Sequence, residues 1–184
     1  MRIARNLRAD AMRGALIGAF VAVIGLASAG TAAAQVWQAR HNLSAAAYQQ
    51  NFDNFAKQGY RLTDVSGYAV NNQPYFAAIW EKKPGGAWQA RHNLTAASYQ
   101  QTFDTLAKQG YRLTDVSGYA VGNQAEFAAV WEQAAGGAWQ ARHNLTAAAY
   151  QQAFDTLAKQ GYRLTHVAGY AVGGNPLFAA IWAK

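Results

Sequence analysis

Cysteine is absent from these 184 residues, so no disulfide framework holds the chain together and its stability must come from packing and hydrogen bonding. No uncharged apolar run reaches the ~20 residues a membrane-spanning helix needs. The longest, over 15–29, is interrupted by Gly18 and Gly25 and followed by Gly30. There is also no stripe of positive charge. The formal charge is +7, but Arg2, Arg5, Arg8, Arg13 and Asp10 all lie in the first 34 residues. Beyond them stand 12 basic and 8 acidic side chains, a balance of +4, with Lys82-Lys83 the only basic pair. Charges scattered in this way do not track a phosphate backbone, so nucleic acid is not an expected partner.

The first 34 residues form a segment of their own. A leader with four arginines precedes the apolar run, and Thr31-Ala32-Ala33-Ala34 supplies the small residues a signal peptidase reads. The expectation is a secretory signal peptide over 1–34, cleaved between Ala34 and Gln35, leaving a single repeat domain over 35–184 in the periplasm or outside the cell. No twin-arginine pair occurs, and no stable membrane span is expected after cleavage.

What is present is repetition. Arg40-His41-Asn42-Leu43, Arg91-His92-Asn93-Leu94 and Arg142-His143-Asn144-Leu145 recur at an offset of 51 residues. Residues 88–133 and 139–184 differ at only 11 of 46 positions. Three copies are expected, over 36–84, 87–135 and 138–184, sharing a core that none could build alone. All six tryptophans lie in the copies.

Each copy reads as β-α-β-β. Residues 88–94 alternate as a half-buried strand, with Trp88, Ala90, His92 and Leu94 on one face. Thr95 is placed to cap a helix over 96–109, where Tyr99, Phe103 and Leu106 recur at helical spacing and Gly110 is the expected terminator. A second strand region covers 111–121, with a parity break near Thr114-Asp115 that indicates a bulge. A turn at Gly122-Asn123 leads to a third strand over 126–132. That strand is apolar on both faces and so expected at the centre of its sheet. The short Gly-Gly linkers suggest that neighbouring copies join as hairpins. The absence of an atypical capping copy favours closure into a small ring or propeller-like arrangement, with Trp37's strand pairing Trp182's inside one monomer, or else a domain-swapped oligomer.

Trp, Arg-His-Asn-Leu-Thr, Tyr and Phe on a helix, Gln-Gly-Tyr-Arg, Val-Ser-Gly-Tyr and Phe-Ala-Ala-Ile-Trp follow one another in three copies, with Ser44, Val130 and Ala168 the departures within these motifs. This pattern resembles the bacterial tandem repeat domain, also described as the polyglycine hydrolase-like repeat, along the whole of 35–184. In that family similar repeats often accompany a β-lactamase-like serine hydrolase domain, which implies an exported accessory or binding role. The family brings no chemistry of the repeat itself, and no Ser-x-x-Lys motif of the β-lactamase type occurs here.

The candidate site residues follow from the same periodicity. His41, His92 and His143 would make a zinc site with an open position if they met on a ring axis, but their apolar strand face favours core packing instead. No cofactor is expected. Arg40, Arg91 and Arg142 point to the opposite face, where they could hold an anion or a peptide carboxylate, or pair with Asp53, Asp104 and Asp155 or with carbonyls. Tyr68, Tyr119 and Tyr170 flank a glycine and could stack on a sugar or peptide, although such positions are more often core. In the third copy His166-Val167-Ala168 replaces Asp115-Val116-Ser117, so a triad of Ser117, His166 and Asp115 would need the copies to bring them together. No catalytic residue is assigned. The expected role is an exported binding or structural module for an unidentified ligand, such as a cell-envelope peptide or glycan. A small hydrolase or metal-dependent enzyme and an oligomerisation unit are the alternatives.

Overall fold

The computed structural model describes residues 36–184, so the leader expected over 1–34 lies outside the described residues. Among those described, no helix is long and apolar enough to cross a membrane. Three copies of one unit follow in order: β1 (Trp37–Ser44), α1 (Ala45–Lys57), β2 (Arg61–Val70) and β3 (Gln73–Glu81); then β4 (Trp88–Thr95), α2 (Ala96–Lys108), β5 (Arg112–Val121) and β6 (Gln124–Glu132); then β7 (Trp139–Leu145), α3 (Ala147–Lys159), β8 (Arg163–Val172) and β9 (Asn175–Ala183).

The helices begin and end where their sequence signals stand. Thr95 accepts a hydrogen bond from the Ser98 amide at 3.3 Å, satisfying one of the free donors of the first turn. At the other end Gly110 takes φ +82°, and the Tyr111 and Gly110 amides donate to Leu106 and Ala107 carbonyls. This is a Schellman closure, and it requires the left-handed backbone that glycine adopts without a Cβ penalty.

Within each unit the last strand lies in the middle, in the orders β1-β3-β2, β4-β6-β5 and β7-β9-β8, antiparallel to both neighbours. The first and second strands are therefore parallel to each other and joined by the helix, a split β-α-β unit closed by a hairpin. Central placement explains the apolar run of β6, where Phe127, Ala128, Ala129, Val130 and Trp131 are all fully buried. The indole N–H groups of Trp80, Trp131 and Trp182 find no hydrogen-bond partner among the described residues. An unmet donor costs about 1–3 kcal/mol, whereas burying ~200 Å² of Trp gains about 5 kcal/mol, so burial wins.

Two sequence expectations are corrected by this topology. Adjacent repeats do not join as hairpins: β4 pairs with β6 of its own unit, not with β3. Nor does Trp37's strand meet Trp182's. Trp37 lies opposite Glu81, while Trp182 lies between Gln140 and Leu164. The reason is common to both: β3, β6 and β9 have both edges occupied within their own units. The sheets found are three open, three-stranded ones, and no closed sheet is present among the described residues.

The units are joined by side chains. β2 packs along β5 and β5 along β8. The core around Tyr48, Phe76 and Trp80 takes in Ala90, Tyr119, Ala128 and Val130 of the second repeat. The core around Tyr99, Phe127 and Trp131 takes in Ala179 and Ile181 of the third.

The expected bulge near Thr114 is present, as a register shift between Leu113 and Asp115. A second bulge, invisible to the alternation pattern, falls between Arg91 and Leu94 and recurs in all three units. It is made by Asn42, Asn93 and Asn144, each left-handed at φ 52–55°. Asparagine is among the few residues that take this conformation without severe strain.

Candidate functional site

His92 and His143 sit at the two successive joints between repeats rather than at one centre. His92 meets Tyr48 edge-on at 4.8 Å and Phe76 at 5.4 Å, both in the preceding repeat. His143 repeats the arrangement on Tyr99 and Phe127. His41 is exposed. Burial holds His92 and His143 below the usual imidazole range, so both are neutral aromatic packing elements near pH 7. Among the described residues no three His, Asp or Glu side chains gather where they could hold a metal ion.

Tyr119 and Tyr170 pin the same joints. The Tyr119 hydroxyl accepts from the Asn93 amide and donates to Asn93 Oδ1, both at 3.0 Å, and so braces the left-handed bulge of its own repeat. Its ring lies where a Cβ on Gly67 would stand and meets Phe76 edge-on at 5.6 Å. Tyr170 does the same with Asn144, Gly118 and Phe127. Tyr68 behaves differently. No bond from its hydroxyl to Asn42 is present among the described residues, and its ring stacks on Tyr75 at 6.2 Å.

Asp115, Ser117 and His166 are brought into one groove, whose lining is 64–67, 115–118 and 166–169 and whose volume is about 280 Å³. The bonds made there differ from those of a triad. Asp115 Oδ1 lies 3.4 Å from His166 Nδ1, and Asp115 Oδ2 accepts from the Val65 amide at 2.8 Å. His166 Nε2 is 2.8 Å from the Val116 carbonyl, and a carbonyl can only accept. That nitrogen therefore carries a proton and cannot serve as the base for a serine. Ser117 Oγ instead accepts from the Gly67 amide at 2.9 Å. Burial pushes the Asp115 carboxyl up to about 6 against the opposing pull of the Val65 amide and His166. Asp115, Ser117 and His166 each tie one repeat to the one before it.

The arginines face outward on the first strand of each unit. Arg40 and Arg91 donate to the carbonyls of Ala39 and Ala90 at 2.7 Å, and Arg142 donates to Gln140 Oε1 at 3.3 Å. Asp53, Asp104 and Asp155 accept instead from Gln49, Gln100 and Gln151. Arg91, with Gln101 and Thr105 of α2, lines a hollow of about 370 Å³. Arg142, with the equivalent Gln152 and Thr156 of α3, lines one of about 320 Å³. A smaller hollow of about 220 Å³, bounded by Tyr48, Gln49, Phe52, Arg91 and His92, lies at the first joint.

The family model of the polyglycine hydrolase-like structural repeat matches residues 34–83, 85–134 and 136–184. The chain belongs to this family. A polyglycine hydrolase-like repeat is thus the unit whose joints have just been described, present three times in tandem. One further pair of residues in these repeats escapes a reading of the sequence. Arg61 is buried, donates to the Gly86 carbonyl at 2.6 Å, pairs with Glu132 at 3.4 Å and lies over Trp88 at 5.9 Å. Arg112 grips Gly137 and Trp139 in the same way. A signal exists: an arginine after Gln-Gly-Tyr recurs in register with a Gly-Gly linker 25 residues downstream. Nothing in the alternation of a single repeat says that the two meet.

Proposed function

We propose that this chain is an exported, non-enzymatic binding module whose repeated hollows take up a carbonyl- or carboxylate-bearing ligand, a peptide or glycan of the cell envelope. The observation that carries the reading is the recurrence of Arg91, Gln101 and Thr105 as Arg142, Gln152 and Thr156 around equivalent shallow hollows. A guanidinium offers five donors, and the bonds made by Arg91 and Arg142 leave others directed at solvent. Two such sites on one rigid array would also let an extended or repetitive ligand bind at both. Tyr68, half-buried and without the bonds that fix Tyr119 and Tyr170, is a further place for stacking.

The enzyme reading draws on the Asp115–His166 pair, but with the Val116 carbonyl on His166 Nε2 that nitrogen offers no base to take a proton from Ser117. Export rests on the leader, and the chain recovered from the periplasm or medium should begin at Gln35.

Binding is tested by co-sedimentation with purified envelope polysaccharide and by titration with short envelope peptides. A hydrogen bond to a charged group contributes about 1.5–3 kcal/mol, so Arg91→Gln with Arg142→Gln should weaken binding by about 10- to 100-fold while the melting temperature holds. Unchanged binding by the double variant would remove the arginine hollows from the function.

A further inference from the structure

The two joints inside the chain repeat one apolar interface, with Asp115 and Ser117 bonding across the first and His166 across the second, and the outer faces of the first and third repeats are its two unmatched halves. At each internal joint one repeat contributes an open core and the next contributes the cover. Trp88 lies on Phe52 at 5.4 Å, and Trp139 lies on Phe103 at the same distance. Tyr119 and Tyr170 fill the flat places left by Gly67 and Gly118. Val130 and Ile181 are buried against the preceding repeat.

The first repeat carries the covering residues, most of them bare. Trp37 is 61% exposed and Ile79 37% exposed, whereas Val130 and Ile181, the counterparts of Ile79, are 0% and 4%. His41, Asp64 and Ser66 are exposed as well, although the equivalent Asp115 and Ser117 are buried and bonded across a joint. Tyr68 has turned to Tyr75.

The third repeat carries the receiving residues, several of them bare. Val167 is 48% exposed, whereas Val65 and Val116 are 4% and 1%. Phe154 is 38% exposed and has no tryptophan on it among the described residues. Around Gly169 only Phe178 would meet an added Cβ. Arg163 is exposed, where Arg61 and Arg112 lie over the tryptophan of the next repeat.

We propose that the first repeat of a second copy of this chain docks on the third repeat, remaking the internal joint between molecules. Trp37 of one copy then lies on Phe154 and beside Arg163 of the other, Tyr68 fills the space over Gly169, and Ile79 enters the core around Tyr150 and Trp182. Asp64 and Ser66 meet the backbone of the β8 segment as Asp115 and Ser117 meet that of β2. The pairing is heterologous, with different surfaces on the two partners, so the contact propagates until a ring closes or a filament runs on. An apolar patch of this composition is otherwise unusual on a soluble surface.

The arrangement is tested by sedimentation velocity on the purified chain and two variants at exposed positions, Ile79→Glu on the covering face and Val167→Glu on the receiving face. The unmodified chain should sediment as an assembly, and each variant alone as a monomer with unchanged circular dichroism. Mixed one to one, the variants should form a heterodimer, because Ile79→Glu keeps its receiving face and Val167→Glu its covering face. A monomeric parent chain at about 100 µM, roughly a hundredfold above a micromolar Kd, overturns the proposal. So does a variant that assembles alone, which would mean like faces pair, or a mixture that stays monomeric.

Discussion

At the residue scale the joints depend on a few polar atoms with no apolar substitute. Tyr119→Phe removes the hydroxyl that bonds both the amide and the side chain of Asn93. It should cost about 1–2 kcal/mol in urea unfolding, while Tyr68→Phe, with no such bond to lose, should cost close to nothing. Equal costs for the two would show that the bulge is not what Tyr119 braces. Asp115 gives a pH-dependent counterpart. Its folded pKa, about 6, lies above its ordinary value of 3.8, so its stabilising contribution is complete below about pH 4 and is lost as pH rises through 6. A difference of that size between the folded and unfolded carboxyl corresponds to about 3 kcal/mol. The stability of the parent chain relative to Asp115→Asn should therefore fall by that order between pH 4 and pH 7, and a flat difference would contradict the assignment. Sequence places these residues on the correct elements without saying which repeat they touch. Alternation reports the face of a strand, and Tyr119's ring and hydroxyl serve two different repeats from one face.

The element scale is where sequence is most legible. Helix starts at Thr95 and ends before Gly110, the Thr114 bulge and the central position of β6 all follow from local signals, and all are present. The bulge at Asn93 is not legible, because a single left-handed asparagine leaves the apolar pattern around it almost intact. Gly110 gives a test at this scale. An added Cβ there would meet nothing within 4 Å, so any cost of Gly110→Ala is conformational, about 1 kcal/mol. Gly67→Ala should cost more, although its φ is ordinary, because the Cβ would enter the ring of Tyr119. Thermal unfolding that ranks the two the other way would reassign the role of Gly67.

For the whole molecule, the number of repeats is plain from sequence but the way they meet is not. The short linkers suggest hairpins and the absence of a capping copy suggests a closed ring; the hairpins are not made and no closed sheet is found among the described residues, since each central strand spends both edges inside its own unit. Coupling between units is therefore carried by side chains, and stability should vary along the array. Helices α2 and α3 are both 13 residues long and differ at two positions, Ser98 and Thr102 becoming Ala149 and Ala153. Alanine favours the helix in α3, yet Tyr99 is buried under the next repeat while Tyr150 is only partly covered. In the Ile79→Glu chain, which leaves the third repeat intact, amide exchange should be faster in α3 than in α2. The reverse order would mean that intrinsic helix preference outweighs the joint.

No backbone ladder crosses the seam between units, and the aromatic and apolar residues that make it recur in each copy. An additional 51-residue segment inserted in register would find a ready partner on either side without any existing strand changing its neighbour, and one removed would leave the remainder matched. Copy number in such an array is free to drift by unequal recombination, and selection can act on reach and valency without first solving a new folding problem.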